Sequence, residues 1–254
     1  MTENLEWLVS VASTNEVAML RAKSGRTGPL WIAADEQLSG RGRSGRGWVS
    51  EPGNLYNSLL LTIDRPPMVL AQLALVAGVV VHDTITQLAP QLTPKLKWPN
   101  DVLVDGAKIC GILIESQLAP AGRGHNVVVG IGLNLAHHPE LAERRATSLA
   151  AHGIDVSPRQ AWQFLSTTFA KWLALWSEGD GFSAICQSWQ ARAVAIGTQV
   201  SVKTGAETIS GRFGGLDSDG AMLLELPDGQ RRRITFGDVH IGAPPPTDAQ
   251  GFWR

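Results

Sequence analysis

The chain has 254 residues, of which 44% are hydrophobic and 18% charged, enough for one large domain and a smaller one. Its 22 basic and 23 acidic residues give a net charge of -1, which excludes the overall basic field that drives nonspecific nucleic-acid binding. Two cysteines without metal-ligand spacing argue against a disulfide framework or a zinc site and indicate a reducing compartment, the cytoplasm. No signal peptide is visible, and the longest apolar run, Met68 to Val81, is shorter than the ~20 residues of a membrane span, so it predicts a buried helix.

The first predicted helix follows Ser13. Ser13 with Glu16 three positions later is the pattern of a capping box, so the helix should begin here and end by Gly25. Thr14 and Asn15 are also placed to offer hydrogen bonds to a small polar ligand at the helix N-terminus, although capping alone explains the pattern.

A loop rich in glycine and arginine follows a strand predicted over Leu30–Ala34. Residues 40–47 hold four glycines and three arginines, a composition that cannot bury apolar area and predicts a loop that is mobile on its own. Three guanidinium groups can wrap a polyphosphate, so a ligand is expected to order the loop. A solvated basic loop, or an RG-type contact with nucleic acid, explains the composition equally well.

Strands, an apolar helix and a hairpin are predicted next. Trp48–Ser50 and Leu55–Ile63 have the pattern of strands separated by a turn. Leu70–Leu88 is too apolar all round to lie on a surface and should back the sheet as a helix. Asp105-Gly106 between two apolar segments predicts a hairpin with a type I′ turn.

Polar and glycine residues cluster around this hairpin. The proline in Trp98–Asp101 excludes a helix and sets an Asn and an Asp on a rigid edge. Lys108 begins the second strand of the hairpin, where an isolated lysine most often protects a sheet edge. Gly130 and Gly132 alternate in a strand predicted over 126–135, so both face one side and leave room for a flat group on the sheet.

The C-terminal third predicts two helices and a small β-domain. Ser157-Pro158 opens a helix that runs to about Ser177, and a second helix is expected over Phe182–Val194. From Gly197 to Gly242, short alternating strands predict a β-barrel that docks on the preceding domain. Arg231–Arg233 fits the charge run of an edge strand better than an RNA contact.

Three motifs follow one another along the chain, namely Arg41–Trp48, then Lys97–Asp101 with Lys108–Ile112, then Gly130–Asn134. In this order and spacing they resemble biotin protein ligases, the biotin–[acetyl-CoA-carboxylase] ligases. The resemblance is strong from about Ser13 to Asn134. It implies an α/β (α+β) fold with a central mixed β-sheet in a catalytic domain over 1–196, an SH3-like β-barrel over 197–242 and a flexible tail over 243–254.

The resemblance also implies site residues, position by position. The implied biotin pocket is lined by Ser13, Thr14, Asn15, Gln37, Arg41, Gly42, Arg43, Lys108, Gly111, Gly130 and Gly132. The implied ATP site comprises Arg46, Trp48, Lys97, Asn100, Asp101, Lys108 and Asn134. Lys108, Arg43 and Arg46 would be the catalytic residues. Mg²⁺ would accompany ATP near Asp101, without a fixed cage of protein ligands.

The implied activity is the adenylation of biotin by ATP to biotinyl-AMP, with release of pyrophosphate, and transfer of biotin to a lysine of a carrier protein. A carboxylate cannot acylate an amine directly because its leaving group would be oxide, so adenylation must come first. Fixed cations and Mg²⁺ would meet the charge on the transferring phosphorus. A closed loop would keep water from the mixed anhydride.

Two alternatives remain at the level of sequence. One is a lipoate or octanoate ligase of similar fold, against which Trp98–Asp101 and the arginine loop favour biotin; the other is an RG-loop nucleic-acid-binding protein. Some biotin ligases carry an N-terminal DNA-binding domain, and because only a dozen residues precede Ser13 we expect a monofunctional enzyme without DNA binding.

The expected partner is the biotin carboxyl carrier protein, the acceptor domain of acetyl-CoA carboxylase. No membrane partner is expected, and a homodimer is left open.

Overall fold

The computed structural model describes residues 4–119, 124–140, 145–177, 181–205 and 207–242. The tail predicted over 243–254 lies outside the described residues. The strands are β1 Leu5–Val11, β2 Leu30–Gln37, β3 Leu55–Ile63, β4 Lys95–Lys97, β5 Asp101–Val104, β6 Ala107–Leu118, β7 His125–Leu133, β8 Gln199–Thr204, β9 Glu207–Leu216, β10 Met222–Glu225, β11 Arg231–Ile234 and β12 Asp238–Ile241. The α-helices are α1 Thr14–Lys23, α2 Pro67–Leu70, α3 Leu73–Leu88, α4 Pro158–Ser177 and α5 Gly181–Arg192.

Seven strands form the large sheet in the order β1-β2-β3-β7-β6-β5-β4. β1 runs parallel to β2, and every other pair of neighbours is antiparallel, which confirms the predicted mixed sheet. β7 pairs along its whole length with β3 and β6, so Gly130 and Gly132 lie in the middle of the sheet. The hairpin between β5 and β6 has the predicted turn, with φ of 50° at Asp105 and 74° at Gly106.

Helices cover both faces of this sheet. α1 packs on one face through a small apolar cluster of Ala18, Ala22, Leu30, Ile32, Leu60 and Val128. α3, α4 and α5 cover the other face and enclose the main core. The segment 67–88 is long and apolar enough to cross a membrane by length and composition, but 61% of its most apolar window is buried inside the protein. The prediction of a buried core helix is therefore confirmed, with a break between α2 and α3.

The C-terminal strands form a separate antiparallel sheet in the order β11-β10-β9-β8-β12. This confirms the predicted β-domain, while closure into a barrel stays a prediction because these pairings leave β11 and β12 at the two ends. Arg231–Arg233 lie on the edge strand β11 and pair with Glu207, Asp217, Asp219 and Glu225, as expected of an edge. The sheet packs on α5 through Phe213 and Trp189, whose rings are 6.3 Å apart. It therefore shares one core with the large domain.

Two local predictions are wrong. Ser13 is the N-cap residue of α1 as predicted, but its side chain makes no capping hydrogen bond. The N–H of Thr14, the first helical residue, donates to Gln37 Oε1 at 2.9 Å. Trp48–Ser50 is not a strand. Its backbone folds back on the preceding loop, with Trp48 N donating to Gly40 O at 2.8 Å, and contacts β2 through Ser50 O, which accepts from Gln37 N at 3.0 Å.

Candidate functional site

A cavity of about 910 Å³ opens on the face of the large sheet that carries α1 and extends to the C-terminal sheet. Every residue that the sequence assigned to a site lines this cavity: Ser13, Thr14, Asn15, Gln37, Arg41, Gly42, Arg43, Arg46, Trp48, Lys97, Asn100, Asp101, Lys108, Gly111, Gly130, Gly132 and Asn134. The C-terminal sheet adds Lys203, Gly205 and Phe236–Val239, which sequence reasoning missed. Those residues follow no motif, and only the docking of the two sheets brings them here.

The glycines of β7 admit two side chains close to the sheet. A Cβ atom at Gly130 would lie 2.2 Å from Asn15 Oδ1, and one at Gly132 would lie 2.6 Å from Trp48 Nε1. The prediction that both glycines clear space on the same face is confirmed, but the space is shared by protein side chains. A larger residue at Gly130 would displace α1, and one at Gly132 would displace the Trp48 indole.

Trp48 lies across the floor of the cavity. Its ring centroid is 5.1 Å from Lys108 Nζ, and a Cβ atom at Gly111 would lie 3.0 Å from its Cζ3. The indole Nε1 is buried and has no hydrogen-bond partner among the described residues. A buried N–H without an acceptor is costly, so it is available to donate to a ligand.

A buried carboxylate organises two lysines beside the indole. Asp101 Oδ2 lies 2.8 Å from Lys97 Nζ, and its Oδ1 lies 2.5 Å from Lys108 Nζ. Burial opposes ionisation of Asp101, but the ammonium groups of Lys108 and Lys97 outweigh it and hold the pKa of the carboxyl below its usual value. The prediction that Lys108 protects a sheet edge is wrong, because β6 lies between β5 and β7 inside the sheet.

Each oxygen of Asp101 is paired with one ammonium group. The described ranges contain no group of three or more His, Cys, Asp or Glu side chains able to hold an ion.

The arginine loop closes over the cavity through contacts with both sheets. It contains a 3₁₀ turn over Arg43–Gly45, in which Ser44 has a φ of 56°. Arg43 donates to Asn100 Oδ1 at 3.1 Å and to the Gly237 carbonyl at 3.0 Å. Arg46 pairs with Asp238 Oδ1 at 2.7 Å. The C-terminal sheet thus holds two arginines that the sequence assigned to phosphate binding.

Asn134 fixes the wall of the cavity next to β7. It is buried, and its Nδ2 donates to the Thr147 carbonyl at 2.9 Å. Its backbone N–H donates to the Ile109 carbonyl at 2.9 Å. Asn134 therefore holds the segment that follows β7 in place beside the strand of Lys108.

Comparisons with known proteins agree with this fold. The model described as the biotin/lipoate A/B protein ligase family matches residues 8–134, and the model described as the biotin protein ligase C terminal domain matches residues 195–242. The chain therefore belongs to the biotin/lipoate A/B protein ligase family.

Individual relatives narrow this class. The chain is 37% identical over 242 residues to a biotin–[acetyl-CoA-carboxylase] ligase of Paracoccus denitrificans, covering 92% of this chain and 99% of that one. It is 33% identical to a bifunctional ligase/repressor of Bacillus spizizenii, covering 95% of this chain and 75% of that one. The solved structure of a biotin protein ligase from Aquifex aeolicus in complex with biotin and ATP has a TM-score of 0.78 and 28% identity, over 94% of this chain and 99% of that chain.

Proposed function

We propose that the chain is a biotin protein ligase that activates biotin with ATP and transfers it to a lysine of a biotin carboxyl carrier protein. The observation that carries this proposal is that the residues assigned to a biotin pocket and those assigned to a nucleotide site line one continuous cavity. A reaction between the two substrates needs both in a single enclosure, with their reacting atoms oriented toward each other. The relatives named above support the choice of substrates.

The first step joins the biotin carboxylate to the α-phosphorus of ATP and releases pyrophosphate. Two anions must approach, so the protein has to supply positive charge where negative charge develops. Lys108 and Lys97, held by Asp101, and the arginines of the loop provide it from two sides. Mg²⁺ enters as part of the nucleotide and would neutralise charge on the phosphates.

The second step is attack by the ε-amine of an acceptor lysine on the biotinyl carbonyl, with AMP as the leaving group. The loop over residues 40–47 would exclude water from the mixed anhydride until the acceptor arrives. Its arginines contact Asn100 on one side and Asp238 on the other, which supports a role as a cover. We place the reaction in the cytoplasm, where both cysteines, which are buried and free, would stay reduced.

We assign this chemistry to a catalytic domain over residues 1–196 and a C-terminal domain over 197–242. The large sheet and α1 to α5 belong to the first, and the five-stranded sheet belongs to the second. The C-terminal domain would complete the nucleotide end of the cavity.

Exchange of labelled pyrophosphate into ATP tests the proposed function. We expect exchange that depends on biotin and Mg²⁺, because adenylation is reversible. Exchange with lipoate or octanoate but not with biotin would select the related ligases. Absence of exchange with all three acids would refute an acid-activating ligase.

A further inference from the structure

One buried side chain, Asn54, holds the bend that follows β7. Asn54 lies just before β3 and is 2% exposed. Its Oδ1 accepts three consecutive backbone N–H groups, those of Leu135 at 2.8 Å, Ala136 at 2.9 Å and His137 at 3.3 Å. Its Nδ2 donates to the His137 carbonyl at 2.9 Å. A single amide thus hydrogen-bonds every residue of the bend over 135–137.

The turn that carries Asn54 also packs on this bend. A Cβ atom at Gly53 would lie 3.0 Å from Ala136 Cβ, and His137 Nε2 lies 2.9 Å from the Pro52 carbonyl. Because a carbonyl only accepts, His137 Nε2 donates to it. In the neutral ring Nδ1 then has a lone pair, which faces Asn54 Nδ2 at 3.4 Å. The oxygen and the nitrogen of the Asn54 amide are therefore both committed to the bend.

Backbone hydrogen bonds connect the 135–137 bend to the wall of the cavity. Leu135 O accepts the Ala150 N–H at 2.8 Å, and Asn134 O accepts the Leu149 N–H at 3.2 Å. The segment held in this way places the Thr147 carbonyl 2.9 Å from Asn134 Nδ2. The orientation of the Asn134 amide, which lines the cavity, therefore depends on where the bend lies.

Other parts of the site have supports of their own. Lys108 is held by Asp101 through its Nζ and by the pairing of β6 with β5. Gly130 lies in the middle of β7, which pairs with β3 on one side and β6 on the other. A disturbance of the bend should therefore reach Asn134 and spare Lys108 and Gly130.

We propose that Asn54 is a positioning residue for the nucleotide, which acts through the 135–137 bend to hold Asn134 at the cavity wall. Asn54 is not among the described residues that line the cavity. The inference rests on the proposed function, in which Asn134 belongs to the ATP site. The amide supplies both kinds of partner that the bend needs, because the three N–H groups require an acceptor and the His137 carbonyl requires a donor.

Pyrophosphate exchange by the full chain, measured with ATP varied at saturating biotin and then the reverse, tests this role. Asn54→Ala should raise the KM for ATP about fivefold to tenfold, the value of roughly one hydrogen bond. It should leave the KM for biotin within about twofold of the wild type. Asn54→Asp keeps an acceptor for the three N–H groups but turns an oxygen toward the His137 carbonyl. It should also raise the KM for ATP alone, and it supplies the measurement if Asn54→Ala does not fold.

Asn126→Ala is the matched control, because Asn126 is a buried asparagine near the opposite end of β7 that accepts from Thr62 Oγ1 at 3.0 Å. It should leave both KM values within about twofold of the wild type. An equal rise in both KM values in the Asn54 variants, or an unchanged KM for ATP, would overturn the inference. A wild-type chain without biotin-dependent exchange would refute the proposed function and the inference with it.

Discussion

Lys108 makes three contacts at the candidate site. It pairs with buried Asp101, lies against the Trp48 ring and contacts the cavity. Lys108→Ala should lower pyrophosphate exchange about 10²-fold to 10³-fold, as expected when a preorganised charge is removed from a transition state. The fold should persist because Lys97 still pairs with Asp101.

The matched control for this variant is Lys95→Ala, which removes an exposed lysine from the neighbouring strand β4. Its exchange rate should equal that of the wild type. An exchange rate in Lys108→Ala within twofold of the wild type would contradict the assigned role.

Asp101 makes a pH-dependent contribution to stability. Its pKa is lowered in the folded state, so its contribution to the free energy of unfolding is complete above the usual carboxyl pKa of about 4 and is lost as the pH falls toward the folded value. Asp101→Asn should cost about 2–3 kcal/mol at neutral pH, since both lysines lose their partner at a partly screened site. Urea unfolding at several pH values should show this cost shrinking below about pH 4.

Asp105→Asn serves as the control, because Asp105 is exposed and asparagine also tolerates its positive φ. Its unfolding free energy should lie within about 0.5 kcal/mol of the wild type. A cost for Asp101→Asn that does not change with pH would rule out the ion pairs as its origin.

The family resemblance carried by short motifs such as Trp98–Asp101 named many of the residues that line the cavity, but not those of the C-terminal sheet. The hydrogen-bond partners of these residues could not be predicted from the sequence. Asn15 and Glu115 are 100 positions apart, and only the packing of α1 on β6 joins them. The contact between the start of α1 and Gln37 was likewise not predictable, since Gln37 comes from the strand β2.

At the level of elements, the arginine loop is held by contacts with residues that are far from it in the sequence. Arg43 bridges Asn100 and the Gly237 carbonyl. Arg43→Gly removes both hydrogen bonds and adds backbone freedom, so biotinyl-AMP should escape and label unrelated lysines. Incubation with biotin, MgATP and serum albumin, followed by a streptavidin blot, should show strong labelling of albumin.

Arg26→Gly is the comparison, because Arg26 is an exposed arginine on another loop. It should label albumin no more than the wild type does. Labelling of albumin by Arg43→Gly at the level of the wild type would argue against the loop as a cover.

Elements with strong periodicity or turn chemistry were predictable, and short or irregular ones were not. The Asp105-Gly106 hairpin and the apolar helix were found because positive φ and continuous apolar character leave clear patterns. β1, β4 and β12 were missed, since strands of three to seven residues with mixed polarity are defined by their neighbours and not by alternation. Trp48–Ser50 failed because its backbone pairs with its own loop.

At the scale of the whole molecule, the two sheets share the end of the cavity that we propose binds the phosphates. Asp238 at the start of β12 pairs with Arg46, so a carboxylate of the C-terminal sheet holds a loop arginine. Asp238→Ala should free Arg46 and make trypsin cut the loop faster without ligands. With biotin and MgATP bound, the phosphates would replace the Asp238 carboxylate as the partner of Arg46. The variant and the wild type should then be cleaved at the same rate.

Asp155→Ala, which removes an exposed aspartate outside both sheets, should leave the rate of cleavage unchanged with and without ligands. Equal cleavage of Asp238→Ala and the wild type in the absence of ligands would show that the C-terminal sheet does not restrain the loop.

The proposed activity depends on one cavity in which biotin and a nucleotide react. Native mass spectrometry of the full chain, incubated with biotin and MgATP without a carrier protein, tests this most directly. We predict a complex whose added mass equals one biotinyl-AMP, formed only when both substrates are present. A chain that carries biotin and ATP together without reaction, or binds neither, would contradict it.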